Sequence, residues 1–416
     1  MRNCGFDSGM RVRVGALIAT VIVAAVFIGT DPTAGALPSP TQLRARSRAV
    51  AIDGAGLSDV SCTSPSSCVA VGSYQVRTGF VSFSESWDGR RWSIIATQNP
   101  SAWVGLGGIT CTSGTDCTAV GGYGETVGNT HTLIEHWNGR DWSIVASPTP
   151  TGASNASLGV VSCSSANACM AVGDYQKGSA ITYTLAEHWD GSRWSIVPTA
   201  RPAARDWLSF GSVSCSSAKN CVAVGNWSKA GHGRMFAERW NGTKWALMPV
   251  PSPRHVTDFS FDGVTCTSDS SCIALGETGR GGVANTLVEH WDGRRWAIVN
   301  SPTPANAGII FMGTPSCAST TNCLAVGTYY LTTNADVSAQ IVSRWDGTRW
   351  TTAAGPFPPS IVTPGANWGQ LGSVSCVTKT FCMGVGSYFT STHMIATLTR
   401  RWTGSAWSLI ASPTPS

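Results

Sequence analysis

The sequence is poor in charge. Asp, Glu, Lys and Arg make up 12% of its 416 residues, and the net charge of +5 is spread along the chain. No Lys/Arg cluster interleaved with aromatics occurs, which argues against a nucleic-acid partner. Also missing is any sustained helical period of apolar residues after residue 36, so a helical fold is not expected. Past the N-terminus, no apolar run is long enough to span a bilayer. The chain has no nucleophile motif, no histidine set at metal-ligand spacing and no carboxylate pair outside a repeating pattern. His136, His188 and His290 recur at one repeat position, while His131, His232, His255 and His393 are scattered. No catalytic residues, cofactor or metal are therefore expected.

What the chain does have is 46 Gly, 18 Trp and 15 Cys. Low charge with many Gly, Thr, Ser and Val points to strands and turns. The N-terminus has the pattern of a targeting segment. Arg11 and Arg13 precede the apolar run "VGALIATVIVAAVFIG" at 14–29, and Ala34-Gly35-Ala36 is a small-residue cleavage candidate. Residues 1–36 are thus expected to be a signal peptide; the alternative is an uncleaved anchor using residues 14–29. Without Cys4 an even number of cysteines remains, in keeping with a secreted protein in an oxidising compartment.

Those cysteines form a repeat. Each pair is C-x5-C: Cys62/Cys68, Cys111/Cys117, Cys163/Cys169, Cys215/Cys221, Cys266/Cys272, Cys317/Cys323 and Cys376/Cys382. Each is followed by a W-x4-W pair: Trp87/Trp92, Trp137/Trp142, Trp189/Trp194, Trp240/Trp245, Trp291/Trp296, Trp345/Trp350 and Trp402/Trp407. One unit reads as four short strands: a segment ending at the first Cys, one starting at the second Cys, one running into the first Trp and one starting at the second Trp. Asp-Gly or Asn-Gly between the tryptophans predicts tight hairpin turns with positive φ at both central positions. "SPTP" segments end pairing and connect units. Four-stranded units of this length, seven in number, predict an all-β fold, a seven-bladed β-propeller of antiparallel blades. A β-solenoid is the main competing fold. The units fall at about 55–100, 101–150, 151–200, 201–253, 254–304, 305–358 and 359–416, after a lead-in at 37–54.

At this level the unit resembles the kelch repeat. "CVAVG" takes the slot of the apolar strand ending in Gly, with Gly72, Gly121, Gly173, Gly225, Gly276, Gly327 and Gly386. The first Trp takes the aromatic slot and the second the Trp slot. "RWDGTRW" at 344–350 is also similar to secreted bacterial propellers with WDGxxW repeats. Double Gly occurs in one unit only (Gly121-Gly122), the aromatic-to-Trp spacing is short, and kelch does not require C-x5-C. The resemblance implies the architecture; kelch-like propellers are mostly binding scaffolds, with a few oxidases among them.

With no second ligand set nearby, the cysteine pairs are expected to form one hairpin disulfide per blade, each stabilising by about 2 kcal/mol in the chain-entropy model. The Trp pairs are expected to pack across strands against a neighbouring blade, the alternative being one aromatic ligand platform per blade. Glu85, Glu135, Glu187, Glu238 and Glu289 lie two before the first Trp, where Ser343 and Arg400 replace them in the last two units. They are expected to partner turn residues such as Arg91, Arg193 or Arg295. Pro315 takes the place of the usual Val or Ile two before the first Cys of its unit and predicts an edge or distorted strand. Whether blades are whole repeats, or the chain ends join as two plus two strands, is open at this stage.

Function is sought where the repeat is broken. The face carrying the second-to-third-strand loops and the connectors between units is expected to hold long, variable loops. Trp103, Trp207, Trp227 and Trp368 all fall there, outside the Trp pairs. Trp103, Trp207 and Trp368 share one phase, eight before the first Cys; Gly54, Asn155, Asp258 and Ile309 take that phase elsewhere. These four tryptophans are the candidate ligand-binding residues around the channel mouth, the alternative being that they cap connectors. Asp206, Asp258 and Glu125 lie in the same loops, with nothing marking them as a set. The expected function is a secreted binding or interaction module at the cell surface or outside the cell. The alternative is carbohydrate binding or a carbohydrate-active enzyme on the same face. Expected partners are an extracellular protein or polysaccharide, with membrane contact only through an uncleaved N-terminal segment and the chain a monomer.

Overall fold

The computed structural model describes residues 54–415, apart from 127, 179–180, 201, 203–206, 230–231, 254–255, 257, 281–282, 333, 356–368 and 391–393. The expected signal segment and most of the lead-in lie outside the described residues, as does Trp368.

Among the described residues, twenty-nine strands follow one another without a helix between them, in seven consecutive antiparallel units. Unit 1 has strands Ala55–Ser64, Ser67–Val76, Gly79–Trp87 and Trp92–Ile95, each pairing with the next in sequence. The first strands of units 2 to 7 begin at Trp103, Asn155, Trp207, Asp258, Ala307 and Gly369. Each first strand lies beside the first strands of the units before and after it, and that of unit 7 lies beside that of unit 1. The first strands therefore encircle the centre and the fourth form the rim, which is the arrangement of a β-propeller. Each unit is one whole repeat. Unit 7 meets unit 1 through side chains and a single parallel bridge, Gly54 to Ile395, not through an exchanged strand.

Alternation along the second strand explains why a unit of this size cannot stand alone. Cys68 and Ala70 pack with Phe381, Met383 and Val385 of unit 7, whereas Val69 and Val71 pack with Val104, Leu106 and Leu133 of unit 2. Successive side chains on a strand point to opposite faces, so a run such as "CVAV" serves two neighbours at once. All seven apolar clusters are shared in this way by adjacent units.

The seven disulfides Cys62–Cys68, Cys111–Cys117, Cys163–Cys169, Cys215–Cys221, Cys266–Cys272, Cys317–Cys323 and Cys376–Cys382 join directly opposed residues of the first hairpin. So many bridges point to an oxidising environment.

Three expectations are corrected. The Trp-to-Trp turns are not two-residue hairpins. They are four-residue loops in which only Gly takes positive φ, +94° at Gly89, while Asp88 Oδ1 accepts the N–H groups of Arg90 and Arg91. The carboxylate caps the loop, so Asp need not enter the left-handed region. The loops between second and third strands are short, not long. In unit 1 the second strand runs on to Val76 and the third starts at Gly79, because "SYQV" and "GFVS" keep the alternating pattern and pair. Finally, the first strand of unit 6 is broken, not merely distorted. Ala307–Met312 and Ser316–Ser319 pair separately with the second strand, on either side of Gly313–Pro315. Pro315 has no N–H to donate there.

Candidate functional site

The Trp pairs are part of the frame. In all seven units the two indoles lie 5.6–5.9 Å apart, tilted. In five units the first Trp ties down the disulfide loop, as where Trp87 Nε1 donates to Pro65 O at 3.1 Å and Trp189 Nε1 to Ala166 O at 3.1 Å; Trp240 Nε1 is buried without a partner. The second reaches the preceding unit, as where Trp142 Nε1 donates to Ser84 Oγ at 2.9 Å. Ten of the fourteen are buried; Trp189, Trp345, Trp402 and Trp407 are half-buried.

The five repeated glutamates are fully buried. Their expected arginine partners are elsewhere: Arg91, Arg193 and Arg295 pair with Asp88, Asp190 and Asp292 of their own exposed turns. The glutamates instead hold the connector that leaves the preceding unit. Glu85 accepts Ser412 Oγ at 2.9 Å, Glu187 accepts Ser147 Oγ, Glu135 accepts Gln98 N at 3.0 Å and Glu238 accepts Ala200 N at 2.8 Å. Glu289 has neither oxygen bonded. The connector position that is Ser147 or Ser412 elsewhere is Val250 before unit 5. Burial pushes Glu85 and Glu135 up to about 7, and Glu187 and Glu289 up to about 8.

Side chains of one unit also cap the exposed inner edge of the next. Serine before the first Cys accepts the N–H of the following unit's first Cys: Ser61 for Cys111, Ser162 for Cys215, Ser214 for Cys266, Ser316 for Cys376 and Ser375 for Cys62. Among the described residues, Thr110 and Thr265 make no such bond. Asp59 accepts Ile109 N at 2.8 Å, and Asn226 both donates to Phe261 O and accepts from Phe261 N. An unpaired strand edge leaves orphan amides, and these groups satisfy them.

Between units 5 and 6 two acids do this work. Asp262 accepts the N–H of Met312 and Glu277 that of Ile310. Burial raises both carboxyls above the usual carboxylate range, and the charge of Asp262 raises Glu277 further. One oxygen of each is buried without a hydrogen bond. Sequence reasoning missed this pair, although a signal was available. Asp262 stands where Gly107, Gly159, Gly211, Gly313 and Gly372 stand in other units.

The described candidates Trp103, Trp207 and Trp227 lie on one edge of the units but not in one cluster. Trp103 opens the first strand of unit 2, half-buried, with its ring 5.4 Å from Phe80 of unit 1. It therefore also closes the seam between those units. Trp207 and Trp227 are both in unit 4, on opposite sheet faces, since Trp207 pairs with Ser228 and Trp227 with Leu208. Ile309 shares the phase of Trp103 and Trp207 and is 49% exposed; Phe311, two residues on, is 55% exposed. These two apolar side chains on an innermost strand were not anticipated. Of the loop acids, Glu125 ends the second strand of unit 2 and Asp258 begins unit 5, so they are not brought together; Asp206 lies outside the described residues.

No family model matches the sequence, and no curated protein matches it either. Solved structures are similar at low identity. A GH74 xyloglucanase from Xanthomonas campestris is 14% identical with a TM-score of 0.47, covering 84% of this chain and 55% of that one. The chain thus spans little more than half of that enzyme. YCF48 from Cyanidioschyzon merolae is 12% identical with a TM-score of 0.48, covering 84% and 96%. The β-propeller domain of the Trilobed protease from Pyrococcus furiosus is 11% identical with a TM-score of 0.48, covering 86% and 98%.

Proposed function

We propose that the chain is a seven-bladed, kelch-like propeller of the secreted WDGxxW type that acts as a binding module outside the cytoplasm. Its partner is an extracellular protein or polysaccharide. The contact surface is the channel mouth bearing Trp103, Trp207, Trp227 and Trp368, together with Ile309 and Phe311. The observation that carries this is the pair of exposed side chains, Ile309 and Phe311, on an innermost strand in register with Trp103 and Trp207. Apolar groups held out on a rigid frame are what a binding surface needs. A hydrolytic reading gains nothing from Asp262 and Glu277. Each caps a backbone amide, and the oxygen left over is shut away from solvent.

The test is binding to a panel of cell-wall polysaccharides and secreted proteins, scored for capture and for product release. Trp207→Ala and Phe311→Ala should reduce capture at an unchanged melting temperature. Product release from any polysaccharide, or capture indifferent to both substitutions, would remove this proposal.

A further inference from the structure

The junctions between units can be compared with one another, and the one between units 2 and 3 is open. On the face that carries the disulfide loops, units 2 and 3 enclose a cleft of about 160 Å³. One side is Trp189, half-buried, with Trp194 behind it. The facing side is mixed: Thr112, Asp116, Thr118 and His136 are polar, and Ile134 and Val145 lie beside them. At the next junction the equivalent groove, lined by His188, Ala168, Ala218 and Cys221, leaves no room for a water molecule.

The position before the second Cys differs between these two junctions. In unit 3 the position before the second Cys is Ala168, and His188 lies against Trp240 with ring centroids 5.5 Å apart. Trp240 is buried there, 3% exposed. In unit 2 the same position is Asp116, whose Oδ1 is 2.7 Å from His136 Nε2. The imidazole is held back on its own unit, and the indole of Trp189 is left uncovered. Thr112 Oγ1 donates to the other carboxylate oxygen and fixes its orientation. Trp345 and Trp402 are also half-buried, but Ser271 and Asn322 take the place of Asp116 before them.

We propose that this cleft binds one neutral pyranose ring, its C–H face on Trp189 and its hydroxyls on Asp116, His136 and Thr118. Size and chemistry both point there. A cavity of roughly 150 Å³ holds a benzene ring, so the cleft takes the ring of a pyranose while its outer hydroxyls stay in solvent. An indole on one side and a fixed carboxylate, imidazole and hydroxyls on the other match a ring that is apolar on its faces and polar at its edge. The acceptors of Asp116 favour a ligand rich in hydroxyl donors over a purely aromatic one. This site is on the opposite face from the channel mouth and does not depend on the proposal made for it.

The experiment uses the purified chain titrated with glucose, galactose and mannose and their disaccharides, followed by tryptophan fluorescence and saturation-transfer NMR. Saturable binding in the millimolar range is expected for at least one sugar. Asp116→Ala installs the residue of the closed junction and should weaken it about tenfold or more without lowering the melting temperature. Thr118→Val, which keeps the side-chain shape, should weaken it severalfold and serves if Asp116→Ala fails to fold. Ile94→Ser, at an exposed position of unit 1, should leave it unchanged. Absence of saturable binding to every sugar, equal binding by both variants, or binding of indole with no sugar bound would each overturn the proposal.

Discussion

Ser375 Oγ, in the last unit, accepts the backbone N–H of Cys62, in the first, at 2.9 Å. The same bond joins four other pairs of consecutive units, so the ends of the chain meet by the rule that operates inside it. Ser375→Ala leaves a half-buried amide without its acceptor and should cost about 1–2 kcal/mol. The reciprocal test is Thr110→Ser: Thr110 already carries a hydroxyl, and removing its β-methyl frees that hydroxyl to accept at the junction of units 2 and 3, which should stabilise by up to about 1 kcal/mol. Denaturant unfolding of both variants measures the two signs together.

Stability should fall as pH rises from mildly acid to mildly alkaline. The buried carboxyls Glu85, Glu135, Glu187 and Glu289 have folded-state values of about 7 to 8 against 4.5 for an unperturbed Glu. Between those limits the folded chain holds more protons than the unfolded one. Their contribution is therefore fully present below about 4.5 and is lost as pH climbs through 7 to 8. Melting temperature against pH should slope downward across that window. Glu289→Gln, at the site with no hydrogen-bond partner, should flatten part of the slope and raise stability on the alkaline side.

Native protein should show no reactive thiol from the fourteen paired cysteines. Each bridge closes a short hairpin, worth about 2 kcal/mol in the chain-entropy model. Replacing Cys111 and Cys117 together by Ala should lower stability by about that amount and leave far-ultraviolet circular dichroism intact. Labelling of native protein at several of these cysteines would contradict the seven-bridge structure.

Gly191→Ala should destabilise by about 1 kcal/mol or more, because φ is +93° there. A methyl group there would also lie 3.2 Å from Asn167 Cβ and press on it. Gly105→Ala, by contrast, meets nothing within 4 Å and should be close to neutral. Gly152→Ala, with φ +75° and nothing within 4 Å, carries strain alone, so thermal unfolding of the three variants separates backbone strain from crowding.

Much of the frame was legible in the sequence because it is written seven times. C-x5-C placed the bridges, and W-x4-W placed the outer hairpins. Pro315 marked the broken strand. What could not be read was which polar groups meet across neighbouring units. The Glu–connector bonds cross from one repeat to the next, so pairing Glu85 with Arg91 from closeness in sequence was misleading; its partner is Ser412, 327 residues away. The strand ends were misjudged because varied side chains such as "SYQV" look like loop until their alternation is seen to continue. The acids of the 5–6 junction and the open cleft at Asp116 rest on single residues that break the repeat. Such positions stand out only when all copies are aligned slot by slot.

The bonds between units run one way round the ring: serine to the next amide, glutamate to the connector behind. No unit contains both halves of any of them, and no apolar cluster belongs to one unit alone. A single excised repeat would thus carry its own disulfide and its own stacked indoles and still lack most of what holds it in shape. Loss of any one unit strips both neighbours of a face, so the propeller should come apart as one cooperative body, unlike an open array, which can fray from its ends.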